Sequence, residues 1–184
     1  MKTKKYLSVL FLAAIMAGCG NKKPDNENII TKRPNVALSK GPQTVGNYSQ
    51  KREVEWLGNK YDIIVERKAD TSLPIVKCEK NAKYYDNVIS LKIMRKDGTE
   101  FYSRSFTKSD FSQYVDDSFE KRSALLGIVY YETEGKNLKF AVSVGSPDQM
   151  SDEFVPLTMR ISNFGSVTIT KDESIDVDAA EAEE

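Results

Sequence analysis

The run Asn137-Leu-Lys-Phe-Ala-Val-Ser-Val144 sets Leu138, Phe140, Val142 and Val144 on one side and Lys139, Ala141 and Ser143 on the other. A two-residue period belongs to a strand with one face buried and one in water. Val155, Leu157, Met159 and Ile161 repeat the rhythm against Thr158, Arg160 and Ser162. Upstream, Val54 and Trp56 alternate with Glu53 and Glu55, and Ile89, Leu91 and Ile93 with Ser90 and Lys92. Tyr61, Ile63 and Val65 alternate with Asp62 and Glu66, Ile64 being the exception. Leu73 to Cys78 is a short β-rich run in which Pro74, lacking an N–H, marks an edge or a strand start.

Turn residues separate these runs: Gly58-Asn59, Asp97-Gly98, Glu134-Gly-Lys-Asn137 and Asn163-Phe-Gly165. Asp97-Gly98 is the strongest hairpin signal, and a two-residue turn there requires positive φ at both positions. Thr107-Lys-Ser-Asp110 has the form of a capping box, followed by Phe111, Tyr114 and Val115 at helical spacing. A second short turn is expected from Asp117, with Glu120 inside it and Lys121-Arg122 at its end. The expected fold is mostly β: an antiparallel β-sandwich of eight or nine strands with one or two short helices. A small lipocalin-like β-barrel is the alternative architecture. The β-rich domain is assigned to residues 51–171.

The flanks read differently. Met1 to Lys5 carries three lysines, and an apolar run from Tyr6 to Ala17 leads into Gly18-Cys19. A basic start, a short apolar stretch and small residues before a cleavage point are the marks of a secretory signal. The run is too short for a bilayer-spanning helix, which needs about 20 residues. Ala17-Gly18-Cys19 resembles the lipobox of bacterial lipoproteins, with Met16 where leucine is usual. That resemblance implies cleavage between Gly18 and Cys19, lipidation of Cys19, and a membrane anchor of several acyl chains.

Residues 1–18 are therefore expected to be a signal peptide and residues 19–50 a flexible tether. The tether segment holds three prolines and five basic against two acidic side chains. Residues 172–184 hold seven acids and no base, the composition of a disordered acidic tail.

Composition then excludes several function classes. The 184 residues contain no histidine, which removes His-ligated metals and imidazole-based triads. Twenty-seven basic side chains balance 27 acidic ones, so nucleic acid is not an expected partner. No Gly-rich phosphate loop or nucleophile elbow occurs, and no cofactor is assigned. With Cys19 acylated, Cys78 is the lone thiol and is expected half-buried in a strand.

Carboxylates are the remaining material for catalysis or metal binding. Asp116, Asp117 and Glu120 read as helix capping, with Asp117 as the cap, and Asp148, Asp152 and Glu153 as a solvated turn. No catalytic or metal-ligating residue is assigned. The strand aromatics are the more informative set. Tyr85, Tyr102, Arg104 and Tyr131 form the candidate surface patch, because exposed Tyr beside Arg suits contact with a protein or a sugar.

The stretches Tyr61-Asp-Ile-Ile-Val-Glu-Arg67, Tyr84-Tyr85-Asp86, Lys96-Asp-Gly-Thr-Glu-Phe101 and Phe106-Thr-Lys-Ser-Asp-Phe111 resemble a group of Bacteroidota lipoproteins classed as a domain of unknown function. Asn137-Leu-Lys-Phe140 and Glu153-Phe-Val-Pro-Leu157 continue the likeness. The resemblance implies a Gram-negative cell envelope and transfers no catalytic residue.

The expected function is an envelope lipoprotein acting as a binding or accessory module, not an enzyme. Its expected partners are the membrane, through its anchor, and an envelope protein or glycan. A carrier of a small apolar or lipidic ligand inside a barrel, and a carboxylate-based hydrolase, are the alternatives. Gly20-Asn21-Lys22-Lys23 lacks an acidic run, which points to the periplasmic side of the outer membrane, with display at the cell surface as the other placement.

Overall fold

A computed structural model describes residues 41–171. The expected signal peptide, the cleavage site, Cys19, most of the tether and the acidic tail lie outside the described residues.

Ten strands occur among the described residues. They are β1 (Tyr48–Trp56), β2 (Asn59–Ala69), β3 (Val76–Lys77), β4 (Lys83–Tyr84), β5 (Asn87–Arg95), β6 (Glu100–Phe106), β7 (Ala124–Glu134), β8 (Asn137–Gly145), β9 (Phe154–Ser162) and β10 (Val167–Lys171). The first four-stranded sheet runs β1-β2-β5-β6, the second β10-β9-β8-β7, and β3-β4 forms a separate two-stranded ribbon. All these strand pairs are antiparallel.

The architecture is the expected sandwich, and no closed barrel forms among the described residues. Alternation decides the core. Trp56, Ile63, Val65, Ile89, Leu91 and Ile93 come from one sheet, and Leu138, Phe140, Val142, Leu157, Met159 and Ile161 from the other. Both sets join a single cluster of buried side chains, which is how two half-apolar sheets remove their apolar faces from water.

Side chains tie both open edges of the sandwich. On one edge the Tyr48 hydroxyl donates to the Ile128 carbonyl at 3.0 Å, and the Arg67 guanidinium donates to the Leu126 carbonyl. On the other, the Tyr114 hydroxyl donates to the Ile169 carbonyl at 2.8 Å.

Several details differ from the sequence reading. The fold starts earlier than residue 51: β1 opens at Tyr48, and Gln43 bridges to Tyr84 through Gln43 N to Lys83 O and Tyr85 N to Gln43 O. The expected tether boundary at residue 50 therefore falls inside a strand. Only Val76–Lys77 of the Leu73–Cys78 run is strand, since Pro74 has no N–H to pair. The segment with the capping box is a 3-10 helix, Lys108–Tyr114, in which Asp110 accepts from Thr107 N at 2.8 Å. The next turn is α-helical, Asp117–Glu120; its N-cap residue is Asp116 rather than Asp117, and no side chain caps it.

Asp97-Gly98 does turn a hairpin, by another geometry. Gly98 N donates to Arg95 O and Arg95 N to Thr99 O, and of the pair only Gly98 has positive φ, at 84°. That is a three-residue loop with glycine in its left-handed position.

The two-residue turn with both φ positive occurs instead at Leu57-Gly58, where Trp56 pairs with Asn59 and Leu57 has φ 53°. A left-handed leucine costs roughly 1–2 kcal/mol, and Leu57 is 49% exposed, so little packing offsets it. Leu57→Asn is therefore expected to stabilise the fold by about 1 kcal/mol and raise Tm by about 2–4 °C. Calorimetry checks this; a lower Tm would show that the leucine side chain, not the backbone, governs the turn.

The outer face of the first sheet is laced with ions. Asp62 meets Lys51 and Lys96, each at 3.1 Å, and Glu53 meets Lys60 at 2.9 Å and Lys96 at 2.5 Å. Hydrogen bonds from Lys96 first, then from Lys51 to Asp62 and from Lys60 to Glu53, hold both carboxyls below their usual range. Their folded values are depressed, so their stabilisation is present above the unfolded values and is lost as pH falls through the folded ones. Tm is expected to fall on acidification below about pH 4. Lys96→Met should flatten that acid slope, and an unchanged slope in a pH series of melting curves would refute the link.

Candidate functional site

The outer face of the second sheet has two parts, an ion-paired end where Glu132 meets Lys139 at 3.1 Å and Glu134 meets Arg160 at 2.6 Å, and a small-residue floor beyond it. On the second sheet the outward row Val129–Ala141–Thr158–Thr170 crosses all four strands, flanked by Gly127–Ser143–Pro156 and by Gly145–Phe154. Val129 is 45% exposed, Tyr131 62% and Phe154 50%. Between them the floor is Gly127, Ala141, Ser143 and Gly145. A Cβ on Gly145 would lie 2.5 Å from the Phe154 Cβ, so the Phe154 side chain requires glycine beneath it. The result is a low floor rimmed by large apolar side chains, the relief into which another surface fits.

A β-bulge between Tyr130 and Glu132 turns Tyr131 outward while Tyr130 packs edge-on against Phe140. One ring of the pair therefore faces water, as the strand reading anticipates. The Lys139 ammonium sits 4.9 Å from the Tyr131 ring centre.

The other members of the candidate patch are elsewhere. Tyr85 is half-buried after β4, hydrogen-bonded through its N–H to Gln43. Tyr102 and Arg104 do share a strand face, opposite Ile93 and Leu91 of the core, but Tyr102 is half-buried against that core while Arg104 stays exposed at its margin. A bulge at Ile93/Met94 turns the consecutive rings Phe101 and Tyr102 both toward the interior. Burial pushes the Tyr102 phenol pKa up, with Arg104 opposing it. Arg104 itself reaches Asp110 at 2.5 Å and covers the Phe106 ring. The four residues thus divide between β6, β7 and the end of β4, and only Tyr102 and Arg104 are neighbours.

Cys78 follows β3 as a half-buried free thiol, its Sγ 3.8 Å from the Arg122 carbonyl. Burial is the largest influence on it and raises its pKa, so it stays a thiol at neutral pH. It lines a cavity of about 260 Å³ with Arg122, Ser146, Asp148 and Glu153. Asp148 accepts from Met150 N at 3.0 Å and Glu153 lies 3.7 Å from Arg122. No group of three or more His, Cys, Asp or Glu side chains placed to hold a metal occurs among the described residues.

The sequence reading missed a polar node at this end of the sandwich. Asp86, 3% exposed, accepts from Asn87 N at 2.8 Å and from Leu125 N at 3.0 Å through Oδ1, and faces Lys108 Nζ at 3.3 Å through Oδ2. Lys108 Nζ also donates to the carbonyls of Glu120 at 2.8 Å and Ser123 at 2.7 Å. These bonds join the start of β5, the 3-10 helix, the α-helical turn and the start of β7. Asp86 and Lys108 are 22 positions apart, and no local spacing rule links them.

Beside the node lies a cavity of about 540 Å³, walled by Leu73, Pro74 and Ile75 and rimmed by Lys77, Lys121 and Arg122.

Two facing antiparallel sheets that share one buried core define the molecule as a β-sandwich domain. A family model, the domain of unknown function DUF4738, matches residues 27–169, and the chain belongs to that family. No curated protein matches the chain.

Proposed function

We propose that this chain is a lipid-anchored binding module of a Bacteroidota cell envelope that holds a protein partner against the outer face of its second sheet. The observation carrying the reading is the exposed rim of Val129, Tyr131 and Phe154 around a floor of small residues, beside the ion-paired end of the same sheet. Exposed aromatic and apolar side chains over a small-residue floor suit protein contact, where aromatics are enriched and charges depleted. The anchor is supported by Lys2, Lys4, Lys5, the apolar run and Ala17-Gly18-Cys19, and the lack of an acidic run in Gly20-Asn21-Lys22-Lys23 favours the periplasmic side of the outer membrane. A glycan partner is the second reading, favoured by Tyr131 beside Lys139.

Two measurements test this. Cys19→Ser is expected to move the protein from the membrane to the soluble fraction; retention in the membrane would refute the anchor. A photo-crosslinking amino acid at Tyr131 or Phe154 is expected to trap a defined protein neighbour in native cells, while one at Lys92, on the ionic face, traps none. Equal labelling from both faces would overturn the assignment.

A further inference from the structure

We propose that the cavity beside the Asp86–Lys108 node is a binding site for an amphipathic carboxylate, a small molecule with one anionic head and a short apolar body. The proposal is independent of the partner-binding face. The volume of about 540 Å³ falls within the range of small-molecule pockets, which run from roughly 300 to 1,000 Å³.

The two halves of such a ligand match two different walls. Leu73, Pro74 and Ile75 form a continuous apolar segment between β2 and β3. Facing it are cations in excess. The lining carries Lys77, Lys108, Lys121 and Arg122 against the carboxylates of Asp86 and Glu120, leaving two positive charges.

Lys108 does not supply the free charge. Its ammonium is shared among Asp86 and two carbonyls, so it is a neutralised floor. Lys77 and Lys121 are exposed and make no ion pair among the described residues, and Arg122 has only the 3.7 Å contact with Glu153 besides the Phe119 ring. Unpaired ammonium groups at the mouth of an apolar cleft attract an anion, and they strengthen their hold as its body displaces water from the wall.

The rigidity of the site follows from the node beneath it. Asp86 and Lys108 fix the 3-10 helix and the α-helical turn, which carry Thr107, Ser109 and Lys121 into the lining. The cavity is in that sense formed before a ligand arrives.

The test is equilibrium dialysis of the full chain against 4-phenylbutyrate, which has one carboxylate and an apolar body and stays soluble without micelles. Three comparisons accompany it: the uncharged 4-phenylbutanamide, inorganic phosphate, and phosphatidylglycerol vesicles. Saturable binding of phenylbutyrate is expected, about tenfold or more tighter than the amide. The double variant Lys77→Glu/Lys121→Glu should weaken binding about tenfold or more, and Ile75→Ser should weaken it with the charges intact. All three are exposed or half-exposed positions, and circular dichroism of each variant reports that the fold persists.

Equal affinity for the amide, or no saturable binding up to about 10 mM, would overturn the proposal. So would phosphate binding as tightly as phenylbutyrate, which would make this a plain anion site. Vesicle binding that is lost in the charge-reversed variant, with phenylbutyrate unbound, would make it a membrane contact and overturn the ligand.

Discussion

Replacing Asp86 with alanine is expected to lower the free energy of unfolding by about 3–5 kcal/mol. Two losses combine. Lys108, with its side chain 14% exposed, keeps its charge in a nearly dry position without a counter-ion. The N–H groups of Asn87 and Leu125, which now donate to Asp86 Oδ1, lose their acceptor inside the protein. Each orphaned buried donor costs about 1–3 kcal/mol.

Asp86→Asn keeps an oxygen for those two donors while removing the charge, so it should cost less than alanine. Lys108→Met removes the cation but leaves the Glu120 and Ser123 carbonyls without that donor. The double variant Asp86→Asn/Lys108→Met should therefore be less destabilised than the two single effects added together. Urea unfolding followed by circular dichroism measures all of these. Additive effects, or a loss below about 1 kcal/mol for alanine, would mean that the node is not a coupled unit.

Destabilisation here would also distinguish the roles of the two ends of the molecule. The node lies beside the cavity walled by Leu73, Pro74 and Ile75, whereas the rim of Val129, Tyr131 and Phe154 and its floor belong to β7, β8 and β9. A variant that loosens the node is expected to weaken carboxylate binding before it affects crosslinking from Tyr131.

The core of this fold was legible because its strands keep one period. Leu138, Phe140, Val142 and Val144 are all at most 1% exposed, and so are Leu157, Met159 and Ile161 on the neighbouring strand. Where the period breaks, the reading failed for the same reason. In Glu100–Phe106 the sequence does not alternate cleanly, and a bulge opposite Met94 decides which way Phe101 and Tyr102 point. Exposure of Tyr102 could not be derived from its own strand, since the partner sets the register. Tyr131 was legible as an outward ring because adjacent tyrosines in a strand must divide between faces, although the bulge beside it had no local signature. The Asp86–Lys108 pair had none at all. Long-range ion pairs depend on how loops close, and nothing in Tyr84-Tyr85-Asp86 distinguishes a structural carboxylate from a solvated one.

The same periodicity makes the sharpest stability contrast in the molecule. Phe140 lies on β8, an inner strand of the second sheet, paired with Tyr130 on one side and Met159 on the other, and it is fully buried. Its ring meets Tyr130 edge-on at 5.8 Å, and the Arg52 guanidinium of the first sheet lies 5.1 Å from the Tyr130 ring centre, so the three side chains connect both sheets. Phe140→Ala is expected to cost about 3–5 kcal/mol, the transfer free energy of the ring plus the cavity it leaves. Against a typical total of about 5–15 kcal/mol, that variant should melt far below the parent or fail to fold at ambient temperature. Phe140→Leu, which refills most of the space, should cost well under half as much. Val129→Ser, on the opposite face of the same sheet and 45% exposed, should change stability by no more than about 0.5 kcal/mol. The contrast is the informative measurement. If Val129→Ser destabilised as much as Phe140→Ala in parallel denaturation curves, the outer face of the second sheet would be packed against something, and a surface free to receive a partner would not exist there.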